Sequence, residues 1–150
     1  MAGKAIGEFS FKVVAISNSP GPAGSVLSQV NWEGTGTGFG AIFNTVTYVG
    51  GPKNGTFSEC ATAYLDNGDG LSGIGQGTYE SSGKHRWCTQ SFVQISDGRR
   101  NAFGGEIDLA SRSWKGTIIR EVNRGVNFPR RLLMSQLSER VGPESVAALS

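Results

Sequence analysis

Two side chains of the sequence suit proton transfer to or from a bound molecule: Glu59 and His85. Glu59 is spaced by two residues from Phe57 and from Ala61, so in a strand it shares a face with apolar residues. A carboxyl group in apolar surroundings has a raised pKa and can act as a general acid or base. His85 is the only histidine, and an imidazole exchanges protons near neutral pH. The alternatives are an outward-facing Glu59 and a His85 that lies at a rim, hydrogen-bonded to a loop.

Glu106 and Arg120 form a second candidate pair for catalysis. They lie on consecutive predicted strands, and a regular hairpin would bring them close together. A carboxylate with an arginine beside it can accept a proton and stabilise a developing oxyanion. A structural ion pair across the two strands is the alternative.

Other kinds of catalytic or metal site are not indicated. With one histidine and no Gly-x-Ser-x-Gly elbow, the chain has no scaffold for a Ser-His-Asp triad. Cys60 and Cys88 are far apart and belong to no Cys-x-x-Cys motif, so we expect reduced thiols on outward faces. The segment 66–70 has the composition of a calcium loop, but Gly77 stands where such a loop needs Glu. We therefore expect no metal and no cofactor.

The elements that must position these residues are β-strands. Eight runs of alternating apolar and polar residues, separated by strong turn sequences, predict eight strands. The runs cover about 8–17, 25–35, 39–49, 56–65, 71–80, 84–96, 101–109 and 114–121. Because the connections are short, each strand is expected to pair antiparallel with the one before it. Glycine, at 23 of 150 residues, favours turns and sharply coiled strands over a helical bundle.

Closing the first strand onto the eighth removes both sheet edges, which predicts an all-β, eight-stranded antiparallel up-and-down barrel over residues 1–121. A sandwich of two four-stranded sheets is the alternative. Residues 122–150 form a C-terminal extension with a short amphipathic helix, predicted from four apolar residues at near-helical spacing. These are Leu132, Leu133, Leu137 and Val141.

The period of two also predicts which side chains line the lumen of the barrel. Lysines and arginines placed outward send their alternate neighbours inward, among them His85, Thr89, Ser91 and Val93 of the sixth strand. The lumen is then apolar and aromatic. The residues expected to contact a ligand are Phe11, Trp32, Phe57, Trp87 and Trp114.

Charge and hydropathy exclude several classes of partner. The formal net charge of +2 is too small to indicate a polyanionic partner, so no nucleic acid is expected. The start of the chain has no apolar signal segment, and nowhere do 18 apolar residues run together. We therefore expect a cytoplasmic protein with no membrane partner.

From about residue 7 to 121 the succession of strands resembles small bacterial proteins with an allene-oxide-cyclase-like or lipocalin-like barrel. The segments that carry the resemblance are 83–87 (GKHRW) and 105–116 (GEIDLASRSWKG). The resemblance implies a closed eight-stranded barrel with an apolar cavity for a small molecule, in a group that includes cofactor-free cyclases and isomerases. It carries no residue's role onto this chain.

The expected function is therefore binding of one apolar or aromatic small molecule in the lumen. A cofactor-independent cyclase or isomerase would act on that molecule through a lumenal carboxylate. A carrier would need the same pocket without catalytic groups. A packed barrel would instead be a structural homo-oligomer, in which exposed residues such as Phe92 and Ile119 form contacts between copies.

Overall fold

The computed structural model describes residues 4–120, which form eight antiparallel strands closed into a barrel. The strands are β1 (Ala5–Pro20), β2 (Val26–Gly36), β3 (Gly40–Gly50), β4 (Asn54–Tyr64), β5 (Gly70–Gly83), β6 (Arg86–Ile95), β7 (Arg100–Asp108) and β8 (Ser113–Arg120). They follow one another in chain order, and β8 pairs with β1. This confirms the eight-stranded antiparallel up-and-down barrel, which is consistent with a lipocalin-like fold, and excludes the sandwich. The C-terminal helix expected within 122–150 lies outside the described residues.

The two ends of the barrel differ in their connections. At the end where β8 finishes, called the lower end here, three connections turn on glycines with positive φ: Gly38, Gly68 and Gly98. Glycine adopts this conformation without a steric penalty, so these positions fix where the chain reverses. The opposite, upper end carries the connections 21–25, 51–53, 84–85 and 109–112. Among the described residues, no helix has the length and apolarity to cross a bilayer.

Aromatic side chains fill the upper end of the lumen. The rings of Tyr48 and Tyr79 meet edge to face, with their centroids 5.8 Å apart. The Tyr79 hydroxyl donates a hydrogen bond to the carbonyl of Gly51 at 2.8 Å. The indole N–H of Trp87 donates to the carbonyl of Pro52, also at 2.8 Å. These bonds hold the rings against the connection between β3 and β4, so the upper end is closed.

Trp114 is the centre of an aromatic layer halfway along the barrel. Its ring centroid lies 5.5 Å from that of Trp32 and 5.8 Å from that of Phe57. Phe9 and Phe11 approach it from β1, with centroids at 5.6 and 5.7 Å. All five side chains are buried. Tilted and edge-to-face aromatic contacts of this kind add to the free energy gained from burying the rings.

Inward-facing glycines make room for these rings. Gly77 on β5 is covered by the ring of Phe57, its register partner on β4. A methyl group at Gly105 on β7 would lie 2.9 Å from the ring edge of Phe9. A ring from one strand therefore occupies the space that a side chain on another strand would need, which packs the upper and central lumen closely.

Candidate functional site

Between the aromatic layer and the lower end, the lumen contains a cavity of about 50 Å³. It exists because the strands that carry Phe57 and Tyr79 higher in the barrel carry small residues here. Ala61 and Ala63 on β4 face the lumen, and Gly73 on β5 lies beside them. The wall is otherwise mostly apolar. It includes Phe9, Ile42, Leu71, Val93, Ile95 and Phe103.

Phe39 lies at the lower end of this cavity. It occupies the turn between β2 and β3, between two glycines of positive φ, Gly38 and Gly40. Its ring is buried and lines the cavity, and the guanidinium carbon of Arg99 lies 4.9 Å from the ring centroid. Arg99 also forms an ion pair with Asp97 at 2.8 Å, and its backbone and side-chain hydrogen bonds lower the pKa of Asp97. A cation held over a ring stabilises the position of that ring.

Glu59 is the charged residue of the cavity wall. Glu59 lies on β4, opposite Val46 on β3 and Gly75 on β5, and only 5% of its surface is exposed. One carboxyl oxygen, Oε2, accepts a hydrogen bond of 2.7 Å from the Asn44 side-chain amide on β3. Burial raises the pKa of Glu59, while the Asn44 amide and the Ser91 hydroxyl act in the opposite direction. Desolvation thus favours the protonated carboxyl.

Unpartnered polar atoms lie around this carboxyl group. Among the described residues, Glu59 Oε1, Asn44 Oδ1 and Ser91 Oγ are buried without a hydrogen-bond partner, as are both side-chain polar atoms of Asn101. The Ser91 hydroxyl is near enough to influence the carboxyl electrostatically, although no hydrogen bond of good geometry joins them. Leaving a buried polar group unpaired costs about 1–3 kcal/mol. Glu59 and Asn44 line the cavity, so its polar side is able to bind a further group.

Among the described residues that line the cavity there is no Lys, Arg or His, so no cation of this wall balances the charge of an ionised Glu59. The one titratable neighbour that interacts with its charge from above is the Tyr48 hydroxyl. Burial and the charge of Glu59 both raise the pKa of Tyr48, so its hydroxyl stays neutral. Within the described lining, Glu59 is therefore the one acidic or basic side chain.

The predicted ligand contacts are divided between the cavity and the packed core. Phe11 and Trp114 line the cavity. Trp32 and Phe57 are buried in the aromatic layer but do not form part of the cavity wall. Trp87 is half-buried at the upper end, on the far side of that layer.

The inward orientation expected for His85 is wrong. β6 begins at Arg86, so His85 lies in the turn before it, exposed and with φ of 55°. A bulge between Ser81 and Gly83 shifts the pairing of β5 with β6 at this point. Because it lies in this turn, His85 does not follow the alternation of β6. Thr89, four residues further along the chain and within β6, is buried as expected.

The expected proximity of Glu106 and Arg120 is also wrong. The register places Glu106 opposite Lys115 and Arg120 opposite Asn101, at different heights on the same two strands. Glu106 is exposed on the outer face, where its carboxylate accepts a hydrogen bond of 3.2 Å from Ser82. Arg120 is exposed at the last residue of β8. Neither residue lines the cavity, so Glu59 alone of the four catalytic candidates does.

The sequence interpretation missed Asn44 and Phe39. Asn44 alternates with Ile42 and Val46, so an amide on the apolar face of a strand was the available signal. Phe39 lies in a turn, where the period of two says nothing about the direction of a side chain. An aromatic residue between two turn glycines was the only hint that it packs inward.

Comparisons with protein-family models, with curated proteins and with solved structures gave no match. Within residues 4–120, no group of three His, Cys, Asp or Glu side chains is placed to hold a metal ion. Cys60 and Cys88 are exposed and unbonded, which agrees with their expected outward orientation. The site is accordingly interpreted from its own geometry.

Proposed function

We propose that the barrel binds one small apolar molecule in the lumenal cavity and that Glu59 contacts the polar group of this molecule. The observation that carries the proposal is a buried carboxyl oxygen without a partner, on a residue that lines a mostly apolar cavity. Apolar pockets with a few convergent polar groups and a titratable residue of shifted pKa are typical of ligand sites. A bound polar group would satisfy the oxygen that the fold leaves unpaired.

The size of the cavity limits what fits. A volume of about 50 Å³ accommodates roughly three to five water-sized groups, and a benzene-sized ligand needs about 150 Å³. A ring therefore enters only if Phe39 moves outward. The glycines on either side of Phe39 give its turn the backbone freedom for such a movement. Because the upper end is closed, the ligand approaches from the lower end.

The finer form of the proposal is a cofactor-independent isomerase or cyclase, as the resemblance to allene-oxide-cyclase-like barrels implies. Glu59 would take a proton from one atom of the substrate and return it to another, so that no proton is gained or lost overall. A raised pKa brings a carboxyl group closer to the pH at which such transfer is efficient. The mostly apolar cavity would hold the substrate near its reactive conformation. His85, Glu106 and Arg120 have no part in this mechanism.

A carrier without catalytic activity is the second candidate. It is favoured because the described part of the cavity wall has a single acidic or basic side chain and no second one to complete an acid–base pair. The homo-oligomer stays a prediction; of its two expected contact residues, Phe92 is exposed and Ile119 is half-buried. The cytoplasmic location also stays a prediction.

The proposal is tested by nuclear magnetic resonance of the tryptophan indole N–H groups during titration with 1-propanol and then benzene. The Trp114 signal should shift because Trp114 lines the cavity, and the Trp87 signal should not. Ala61→Val adds two methyl groups to the cavity and should abolish the shift. Ala41→Val makes the same change at an exposed residue of β3 and should leave it intact. Unchanged binding in Ala61→Val, or no shift with either probe, would overturn the proposal.

A further inference from the structure

The polar side of the cavity accepts hydrogen bonds more than it donates them. When Glu59 is ionised, the Asn44 amide nitrogen donates to its Oε2, which leaves Asn44 Oδ1 and Glu59 Oε1 as two unpartnered acceptors on residues that line the cavity. The Ser91 hydroxyl beside them has one proton to give and can also accept. A hydroxyl group on a ligand donates a single hydrogen bond, whereas a primary ammonium group donates three.

The charge of the site points in the same direction. Within residues 4–120, the cavity wall offers no cationic side chain to pair with an ionised Glu59, and Tyr48, its titratable neighbour, stays neutral. A buried carboxylate is tolerated when a cation with good hydrogen-bond geometry pairs with it. A positively charged ligand can therefore supply the cation that an ionised Glu59 lacks among the described residues.

We infer that the ligand of the lumen is a small apolar primary amine, whose ammonium group pairs with Glu59 and hydrogen-bonds to Asn44. This inference rests on the proposed lumenal binding and names the ligand class. The cavity admits about three to five heavy atoms in all, so only the nitrogen and a short alkyl group of the ligand lie inside it.

Binding of an amine to the protein with a protonated Glu59 releases a proton, whereas binding of an alcohol does not. Below the pKa of Glu59 in the free protein, the carboxyl group is protonated and the amine in solution is an ammonium ion. Their association releases one proton from the carboxyl group to solvent and forms the ion pair. The affinity for an amine therefore rises with pH, up to tenfold per unit, until Glu59 is ionised in the free protein. The affinity for an alcohol does not.

The test compares n-propylamine with 1-propanol, which have the same number of non-hydrogen atoms, on the full chain by the Trp114 indole signal. At pH 7.5 the wild-type protein should bind the amine at least tenfold more tightly. Glu59→Gln should remove this preference by weakening the binding of the amine. Glu33→Gln, the same change at an exposed residue of β2, should retain the preference.

The pH dependence of the two affinities in the wild-type protein provides a second measurement, which does not depend on whether Glu59→Gln folds. Equal or tighter binding of 1-propanol, or an amine affinity that does not change with pH, would overturn the amine inference and leave lumenal binding intact. Binding of neither probe would overturn the proposed function as well.

Discussion

Replacing Glu59 by Gln should change how the stability of the barrel depends on pH. Burial raises the pKa of Glu59 above its ordinary value of 4.5, so over a range of pH the folded protein holds a proton that the unfolded chain releases. The stabilisation is complete below the unfolded value and is lost as the pH rises through the folded value. In that window the free energy of unfolding falls by about 1.4 kcal/mol per pH unit for one proton.

The Gln side chain suits this comparison because its shape matches the protonated carboxyl. Its oxygen can accept from Asn44 as Oε2 does, and its amide can donate to Ser91 Oγ, which lacks a partner. Glu59→Gln should therefore fold and should grow more stable relative to wild type as the pH rises. The lowered pKa of Asp97 gives the opposite dependence, but both proteins contain Asp97, so it cancels in the difference.

The assay is urea unfolding followed by tryptophan fluorescence, at intervals between pH 4.5 and 8. Glu33→Gln is the control, and its stability relative to wild type should hardly vary with pH because Glu33 is exposed. A difference between wild type and Glu59→Gln that stays constant with pH would refute the assignment of a buried carboxyl with a raised pKa. A stability advantage of Glu59→Gln over wild type that grows toward acidic pH would mean that folding lowers the pKa of Glu59, and would refute the predicted direction.

Two further predictions concern the aromatic layer. Thr89→Val should lower the free energy of unfolding by about 1–3 kcal/mol, because the buried indole N–H of Trp114 then loses the acceptor that lies 2.9 Å away. Thr89→Ser keeps the hydroxyl and should lower the free energy of unfolding less in the same urea assay. Gly77→Ala should lower the melting temperature because the new methyl group meets the Phe57 ring. Gly70→Ala, whose methyl group has no neighbour nearer than 3.9 Å, should not, and equal effects of the two alanines would contradict the packing described.

The barrel could be predicted from the sequence because its signals are local. Alternation of apolar and polar residues defines each strand, and turn glycines such as Gly68 and Gly98 mark the reversals within a few residues. Short connections then leave antiparallel neighbours as the simplest arrangement, and closure removes the exposed edges. Each step depends on residues that are close in the chain.

The site was only partly predictable because it depends on side chains from distant strands. Glu59 could be placed in the lumen from its own strand, since its alternate neighbours are apolar. His85 could not be placed, because it lies in the turn before β6, where a period of two says nothing about the direction of a side chain. The position of the cavity depends on which rings lie over which glycines, as with Phe57 over Gly77, and this requires the register between strands.

A lumen that is closed at its upper end works as a cup and not as a tube. A molecule that approaches from the lower end must present one terminus to Glu59 and leave the other terminus near Phe39. In a homologous series of linear molecules, each added methylene should therefore strengthen binding only until the chain reaches the rim. Longer members would protrude into water with nearly constant affinity, so that the barrel would select its ligands by their head group and tolerate wide variation in their tails.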